Sequence, residues 1–269
     1  MIKIGILGCG KIAQVRHIPE YAANPDCQLV GFYNPTKSRA EDMAAKYGGL
    51  AYDTAEELLA NPEIDAVSVC AANYAHAALS IQALKAGKHV LCEKPMATTL
   101  ADCEAMVECA KKNGKFLMIG HNQRLAKAHM EAKRLIDAGL IGVDDNAICI
   151  YEMADGTLGT MTASWTYYAA EDNSTVLYGI KGEMRIYDDP AHSIVVKLAD
   201  GTVQTYDVEQ IQTNDNQTKS GVIDLWVDCL KEGRQPEISG ASVLSAMRAV
   251  FASIQSAETG ATVEIEENK

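Results

Sequence analysis

A chain of 269 residues, 48% of them hydrophobic, holds enough apolar material for one large or two ordinary domains. Its net charge of −12 at pH 7 sets it against nucleic acid and anionic membrane surfaces as partners, and no apolar run nears the length that crosses a bilayer. The eight cysteines, at positions 9, 27, 70, 92, 103, 109, 149 and 229, include no CxxC pair and read as reduced core residues, so neither a metal centre nor a disulfide framework is expected. With no charged-then-apolar leader before the first strand, the expected location is the cytoplasm.

The first expected strand, residues 2 to 7, runs into Gly8-Cys9-Gly10-Lys11-Ile12-Ala13 and then a helical pattern. Each small residue has a task at a dinucleotide-binding turn: Gly8 turns the chain tightly, Gly10 admits backbone to a pyrophosphate, and Ala13 lets the helix pack on the strand. The helix start adds N–H groups and the positive end of its dipole, so an anionic cofactor is compatible with an acidic chain. Further strands are expected at 28 to 33, 66 to 71, 88 to 92 and 116 to 119, with helices between them. Thr99 with Asp102 opens a helix from Leu100 to Lys112, and Asn113-Gly114 stops it. This alternation predicts an α/β fold with a doubly wound Rossmann domain over residues 1–122.

A helix over Ala126 to Ala138 follows, and beyond Gly142 the texture changes. Ala147 to Met153 meets Thr157 to Trp165 across Asp155-Gly156, and similar pairs flank Lys181-Gly182 and Asp200-Gly201, which predicts a mainly antiparallel sheet. Two amphipathic helices close the chain, one presenting Val222, Leu225, Trp226, Cys229 and Leu230, the other Val243, Met247, Val250, Phe251 and Ile254. Residues 123–269 are therefore expected to form one α+β domain for substrate binding and oligomerisation.

Three more groups fall where the carboxyl edge of the parallel sheet is expected, the edge at which open α/β sheets take ligands. They are Ala72, Asn73, Tyr74 and His76; Glu93, Lys94 and Pro95; and Gly120, His121, Asn122 and Arg124. Singly, each admits a plain role: His76 capping a helix, Lys94 solvated at the surface, Arg124 paired with a helix carboxylate. Together, in a domain that opens with a dinucleotide turn, they point to a redox site, where oxidising an alcohol needs a base near the hydroxyl and a lysine can supply it. The second strand ends in Asn34 without the acidic residue that holds a ribose 2′-hydroxyl. Lys37 and Arg39 can reach a 2′-phosphate or simply stand exposed on the next helix, so tolerance of both NAD and NADP is expected.

In these motifs the chain resembles the Gfo/Idh/MocA family, named for glucose-fructose oxidoreductase, inositol dehydrogenase and a rhizopine catabolism protein. Gly8-Cys9-Gly10-Lys11-Ile12-Ala13, Ala72-Asn73-Tyr74-Ala75-His76 and Glu93-Lys94-Pro95 match its motifs in order and at normal spacing, and Asp145-Asn146-Ala147, Gly156, Ser164-Trp165, Gly179 and Gly182 look like its second domain. The resemblance implies an NAD(P)-dependent oxidoreductase that moves hydride between the nicotinamide and a sugar, cyclitol or related polyol. It implies that Lys94 transfers the proton or polarises the substrate oxygen, and that Pro95 follows a cis peptide bond. The cofactor set is then Gly8, Cys9, Gly10, Lys11, Ile12, Ala13, Asn34, Lys37, Arg39, Ala72, Asn73, His76, Glu93, Lys94 and Pro95, with Glu93 either paired with Lys94 or bonded to the cofactor. His121, Asn122, Arg124, Tyr167 and Tyr168 are candidate substrate contacts. An open sheet face in the second domain implies a homodimer or homotetramer.

The chain departs from the family at one junction. After Gly139-Leu140-Ile141-Gly142 the family runs into further strands and a helix bearing Asp and His four residues apart, whereas here Val143-Asp144-Asp145-Asn146-Ala147 follows at once. No substitute pair is expected among histidines 17, 76, 89, 121, 129 and 192. Two accounts are open: a truly shortened member, or a natural chain whose block this sequence lacks. The corresponding alternative function is a nucleotide-binding sensor or scaffold without turnover.

Overall fold

The computed structural model describes residues 1–125, 127–138, 151–152, 158–159, 174–179, 181–208 and 221–265. Six strands, β1 (Ile2–Leu7), β2 (Cys27–Tyr33), β3 (Leu50–Tyr52), β4 (Ala66–Val69), β5 (His89–Cys92) and β6 (Leu117–Ile119), form a parallel sheet in the order β3-β2-β1-β4-β5-β6. Ile4, Ile6, Leu7, Val67, Val69, Val90 and Leu91 are all buried, as strands covered on both faces require. The order reverses between β1 and β4, which opens a crevice at their carboxyl ends.

The crossovers carry α1 (Ile18–Ala23), α2 (Lys37–Tyr47), α3 (Ala55–Ala60), α4 (His76–Lys85) and α5 (Leu100–Asn113). The Thr99 hydroxyl accepts from the Asp102 N–H at 3.1 Å, and Gly114 ends α5 in the left-handed conformation, as the sequence predicts. Strand β3 is absent from the sequence-based expectation, because three residues with an exposed Leu50 carry no periodicity.

Contacts divide the chain into two compact units, Met1–Asn122 with Gln217–Lys269, and Gln123–Asn216. The expected domain 123–269 is therefore not continuous: its last segment groups with the first unit. There α7 (Val222–Glu232) buries Val222, Ile223, Trp226, Val227 and Cys229, so its apolar stripe is rotated from the expected one and leaves Leu225 and Leu230 part-buried. Helix α8 (Gly240–Thr259) packs on α5 and β6 through Val243, Leu244 and Met247, with Val250 and Ile254 exposed. Its approach is fixed by backbone, since Ile119 N–H donates to the Ile238 carbonyl at 2.9 Å.

In the second unit, α6 (Lys127–Asp137) lies beside an antiparallel sheet. Short strands β7 (Tyr151–Glu152) and β8 (Leu158–Gly159) pair antiparallel; the rest of that expected hairpin lies outside the described residues. Strands β9 (Thr175–Gly179), β10 (Gly182–Ile186), β11 (Ile194–Leu198) and β12 (Val203–Tyr206) run in the order β12-β11-β10-β9, with hairpins where Lys181-Gly182 and Asp200-Gly201 predict them. Ala128, Ala132 and Leu135 of α6 form the core with Leu177, Met184, Ile186, Ile194 and Val196. Among the described residues no helix is long and apolar enough to cross a membrane.

Candidate functional site

Strand β1 delivers the glycine turn to the crevice. Gly8 has φ +101°, and a side chain there would stand 2.7 Å from the backbone of Cys70 and Ala71 at the end of β4, so only glycine lets the two strand ends approach this closely. The turn is tied to β2 twice: Gly8 N–H donates to the Tyr33 carbonyl at 2.8 Å, and Cys9 N–H to Asn34 Oδ1 at 3.0 Å. Gly10 differs, since a Cβ on it would meet only the Cys70 carbonyl oxygen, at 3.9 Å. That open position and the helix beginning at Lys11 fit a pyrophosphate, which needs close backbone and the N–H groups of a helix's first turn.

The helix does not continue regularly. Ala13–His17 form a π-turn before α1, and this extra residue lets two consecutive side chains, Arg16 and His17, both face inward. They are 4% and 1% exposed and converge on Glu93 Oε1 at the end of β5: an Arg16 guanidinium nitrogen pairs with it and His17 Nε2 donates to it at 2.9 Å. His17 Nδ1 faces Ser68 Oγ at 3.1 Å, and Ser68 in turn bonds the Tyr21 hydroxyl at 2.9 Å. The remaining carboxylate oxygen, Glu93 Oε2, accepts the Lys94 N–H at 3.0 Å. Burial pushes the Glu93 carboxyl up, but the His17 hydrogen bond, the charges of His17 and Arg16 and the Lys94 N–H outweigh it, and the group titrates at about 2. Glu93 thus meets Lys94 through that residue's backbone N–H, and the first helix holds the carboxylate from behind.

Lys94 is exposed at this strand end, and the Lys94–Pro95 peptide is cis, as the resemblance implies. His76, buried at the first turn of α4, does not cap its helix: its ring nitrogens lie 2.7 Å from the Pro95 carbonyl and 3.1 Å from that of Ala71, linking the β4 and β5 ends. Ala72 and Asn73 are exposed beside it, with Tyr74 82% exposed. Gly120 packs on Glu93, where a Cβ would stand 3.2 Å from Oε1, and His121 and Asn122 continue from β6 with Asn122 buried.

Of the 2′-phosphate candidates, Lys37 is ion-paired with Asp53 and Arg39 is exposed on α2. Arg124 is exposed in the second unit, while Tyr167, Tyr168 and the junction at 142/143 lie outside the described residues. One spacing escaped the sequence-based expectation: Asp188 does stand four residues before His192. The two sit in the connection between β10 and β11 rather than on a helix, with Asp188 bonded to Arg185 at 2.5 Å and His192 to Asp207 at 2.9 Å, so they do not reproduce the family's helical pair. The convergence of Arg16 and His17 on Glu93 was also missed; no local sequence signal marks it, since the structure exposes Val15 and buries Arg16, the reverse of their polarity.

Strand order and glycine turn define an α/β protein with a dinucleotide-binding fold. Residues 2–121 match the model of an oxidoreductase family with an NAD-binding Rossmann fold, and residues 118–185 match the Gfo/Idh/MocA C-terminal domain. The chain belongs to the Gfo/Idh/MocA family. It is 34% identical over 142 residues to a myo-inositol 2-dehydrogenase of Thermotoga maritima, covering 52% of this chain and 42% of that one. To a D-glucoside 3-dehydrogenase of Escherichia coli it is 32% identical over 142 residues, covering 52% and 40%. The matched stretch thus spans less than half the length of these relatives. An Agrobacterium radiobacter oxidoreductase crystallised with NAD+, L-tartaric acid and magnesium shares the fold with a TM-score of 0.82 at 17% identity over 98% of both chains. An aldose-aldose oxidoreductase of Caulobacter crescentus does so with a TM-score of 0.77 at 24% identity over 98% of this chain and 99% of that one. Nothing in these comparisons favours the sensor or scaffold alternative.

Proposed function

We propose that the chain is an NAD(P)-dependent oxidoreductase acting on a sugar, cyclitol or related polyol, with the cofactor on the Gly8–Ala13 turn and Lys94 at the reacting carbon. The observation that carries this reading is the linkage just described: the helix that opens at the glycine turn holds, through Glu93, the backbone of the lysine. Bound nicotinamide supplies the hydride acceptor or donor. The chain's own part is to bind and to manage the proton. Gly8 and Gly10 clear the approach, His76 links the β4 and β5 ends, and the Lys94 amine takes the hydroxyl proton as a carbinol becomes a carbonyl, or returns it in the reverse direction. Relatives named as inositol and glucoside dehydrogenases support the substrate class.

Cofactor tolerance follows from the β2 end. Asn34 carries no charge to repel a 2′-phosphate, and Lys37 would have to leave Asp53 to meet one, so both NAD and NADP are accepted without a strong preference. A homodimer or homotetramer in the cytoplasm completes this reading, the assembly resting on the family resemblance.

The test is NADH and NADPH titration by fluorescence, followed by turnover on a panel of cyclitols and aldoses. Lys94→Ala is expected to keep cofactor affinity and lose activity on the order of a hundred- to ten-thousand-fold. Undiminished turnover of Lys94→Ala would overturn the role given to Lys94.

A further inference from the structure

We infer that Arg16 and His17 are positioning residues for Lys94, acting through the Glu93 carboxylate. The inference deepens the reading above and rests on its assignment of Lys94. Three observations carry it. A buried charged group costs several kcal/mol to desolvate, and apolar residues of similar volume are commonly as stable or more so, so a cluster of Arg16, His17 and Glu93 at 4%, 1% and 4% exposure is poorly explained by stability alone. The carboxylate is used at both oxygens: Oε1 collects Arg16 and His17, and Oε2 accepts the N–H of Lys94. The surroundings are cut to fit this carboxylate, with the π-turn bringing two adjacent side chains inward on one side and Gly120 leaving room on the other. Rotating Glu93 would release the amide that begins the Lys94–Pro95 turn. Because the same helix begins at the glycine turn, this carboxylate ties the cofactor seat to the lysine's backbone in addition to the sheet that joins their strands.

The experiment reads the lysine directly. Full-length wild type, Arg16→Met, His17→Asn and Glu93→Gln are labelled with acetic anhydride across pH, with and without NADH, and acetylation of the Lys94 peptide is followed by mass spectrometry, with exposed Lys85 and Lys111 as internal references. In wild type, NADH shields Lys94. If the cluster positions the lysine, all three variants lose that shielding while still binding NADH by fluorescence, and kcat on any accepted polyol falls by about tenfold to a hundredfold with little change in KM. A simple charge effect behaves differently, because removing Arg16 and removing Glu93 displace the labelling profile in opposite directions. Variants that lose thermal stability yet keep NADH shielding of Lys94 overturn the inference. Absence of shielding in wild type instead overturns the proposed function, so the two failures are separable. Should the single variants not fold, the Arg16→Met/Glu93→Gln double variant, which removes both buried charges together, gives the same readout.

Discussion

The side chain of Asn34 joins the glycine turn to the next helix: its Oδ1 accepts the Cys9 N–H at 3.0 Å while its Nδ2 donates to the Thr36 carbonyl at 3.0 Å. An aspartate at this position would keep the first bond and lose the second, adding a negative charge at the end of β2. Asn34→Asp is expected to weaken NADPH relative to NADH by on the order of tenfold, equivalent to about 1.4 kcal/mol. Fluorescence titration of both cofactors checks it. Asn34→Ala, which leaves a buried Cys9 N–H without an acceptor, should lower stability by about 1–3 kcal/mol.

At Gly8 the backbone geometry and the space agree. Alanine there would be strained at φ +101° and would overlap Cys70, so Gly8→Ala should cost roughly 1–3 kcal/mol for the strain alone and abolish cofactor binding. Thermal unfolding with and without NADH separates the effects: the variant melts lower and gains nothing from the cofactor, whereas a cofactor-induced rise equal to wild type would argue against the turn as the seat.

Acid should destabilise the protein in two overlapping stages. Burial and the nearby Lys115 charge depress His89 to about 4 from its ordinary 6.5, so the unfolded chain binds the proton first and stability falls as pH drops below about 6.5. Glu93, at about 2 against an ordinary 4.5, keeps its contribution above 4.5 and loses it as pH falls from there towards 2. Within that lower window its share of the slope approaches about 1.4 kcal/mol per pH unit. Urea denaturation at a series of pH values reads this directly, and Glu93→Gln should flatten the lower stage.

Burial pushes the Cys9 thiol up to about 12 and that of Cys92 to about 12, and raises Cys70 well above its usual range. Thiolates are the reactive form, so iodoacetamide at about pH 8 should leave these three untouched in the native protein and modify them all in urea. Peptide mass spectrometry gives the answer; labelling of native Cys9 would mean that the glycine turn opens in solution.

Much of the first unit is written locally. Strand β1, the Gly8 turn, the Thr99 cap and the Gly114 stop each depend on a residue's own conformational preference, and all stand where the sequence puts them. What the sequence conceals depends on partners remote in the chain. Arg16 and Glu93 are separated by 77 positions, and nothing in Gln14-Val15-Arg16-His17 announces a π-turn. The buried stripe of α7 shifts to Ile223 and Val227 because β1 selects which side is covered, and the return of residues 217–269 to the first unit is a matter of tertiary packing.

That return makes residues 123–216 an insertion within the first unit, entered once and left once. An insertion or deletion between those two crossings alters chain length without moving any strand of the parallel sheet out of register. Evolution can therefore lengthen, shorten or exchange the inserted unit at little risk to the nucleotide-binding fold.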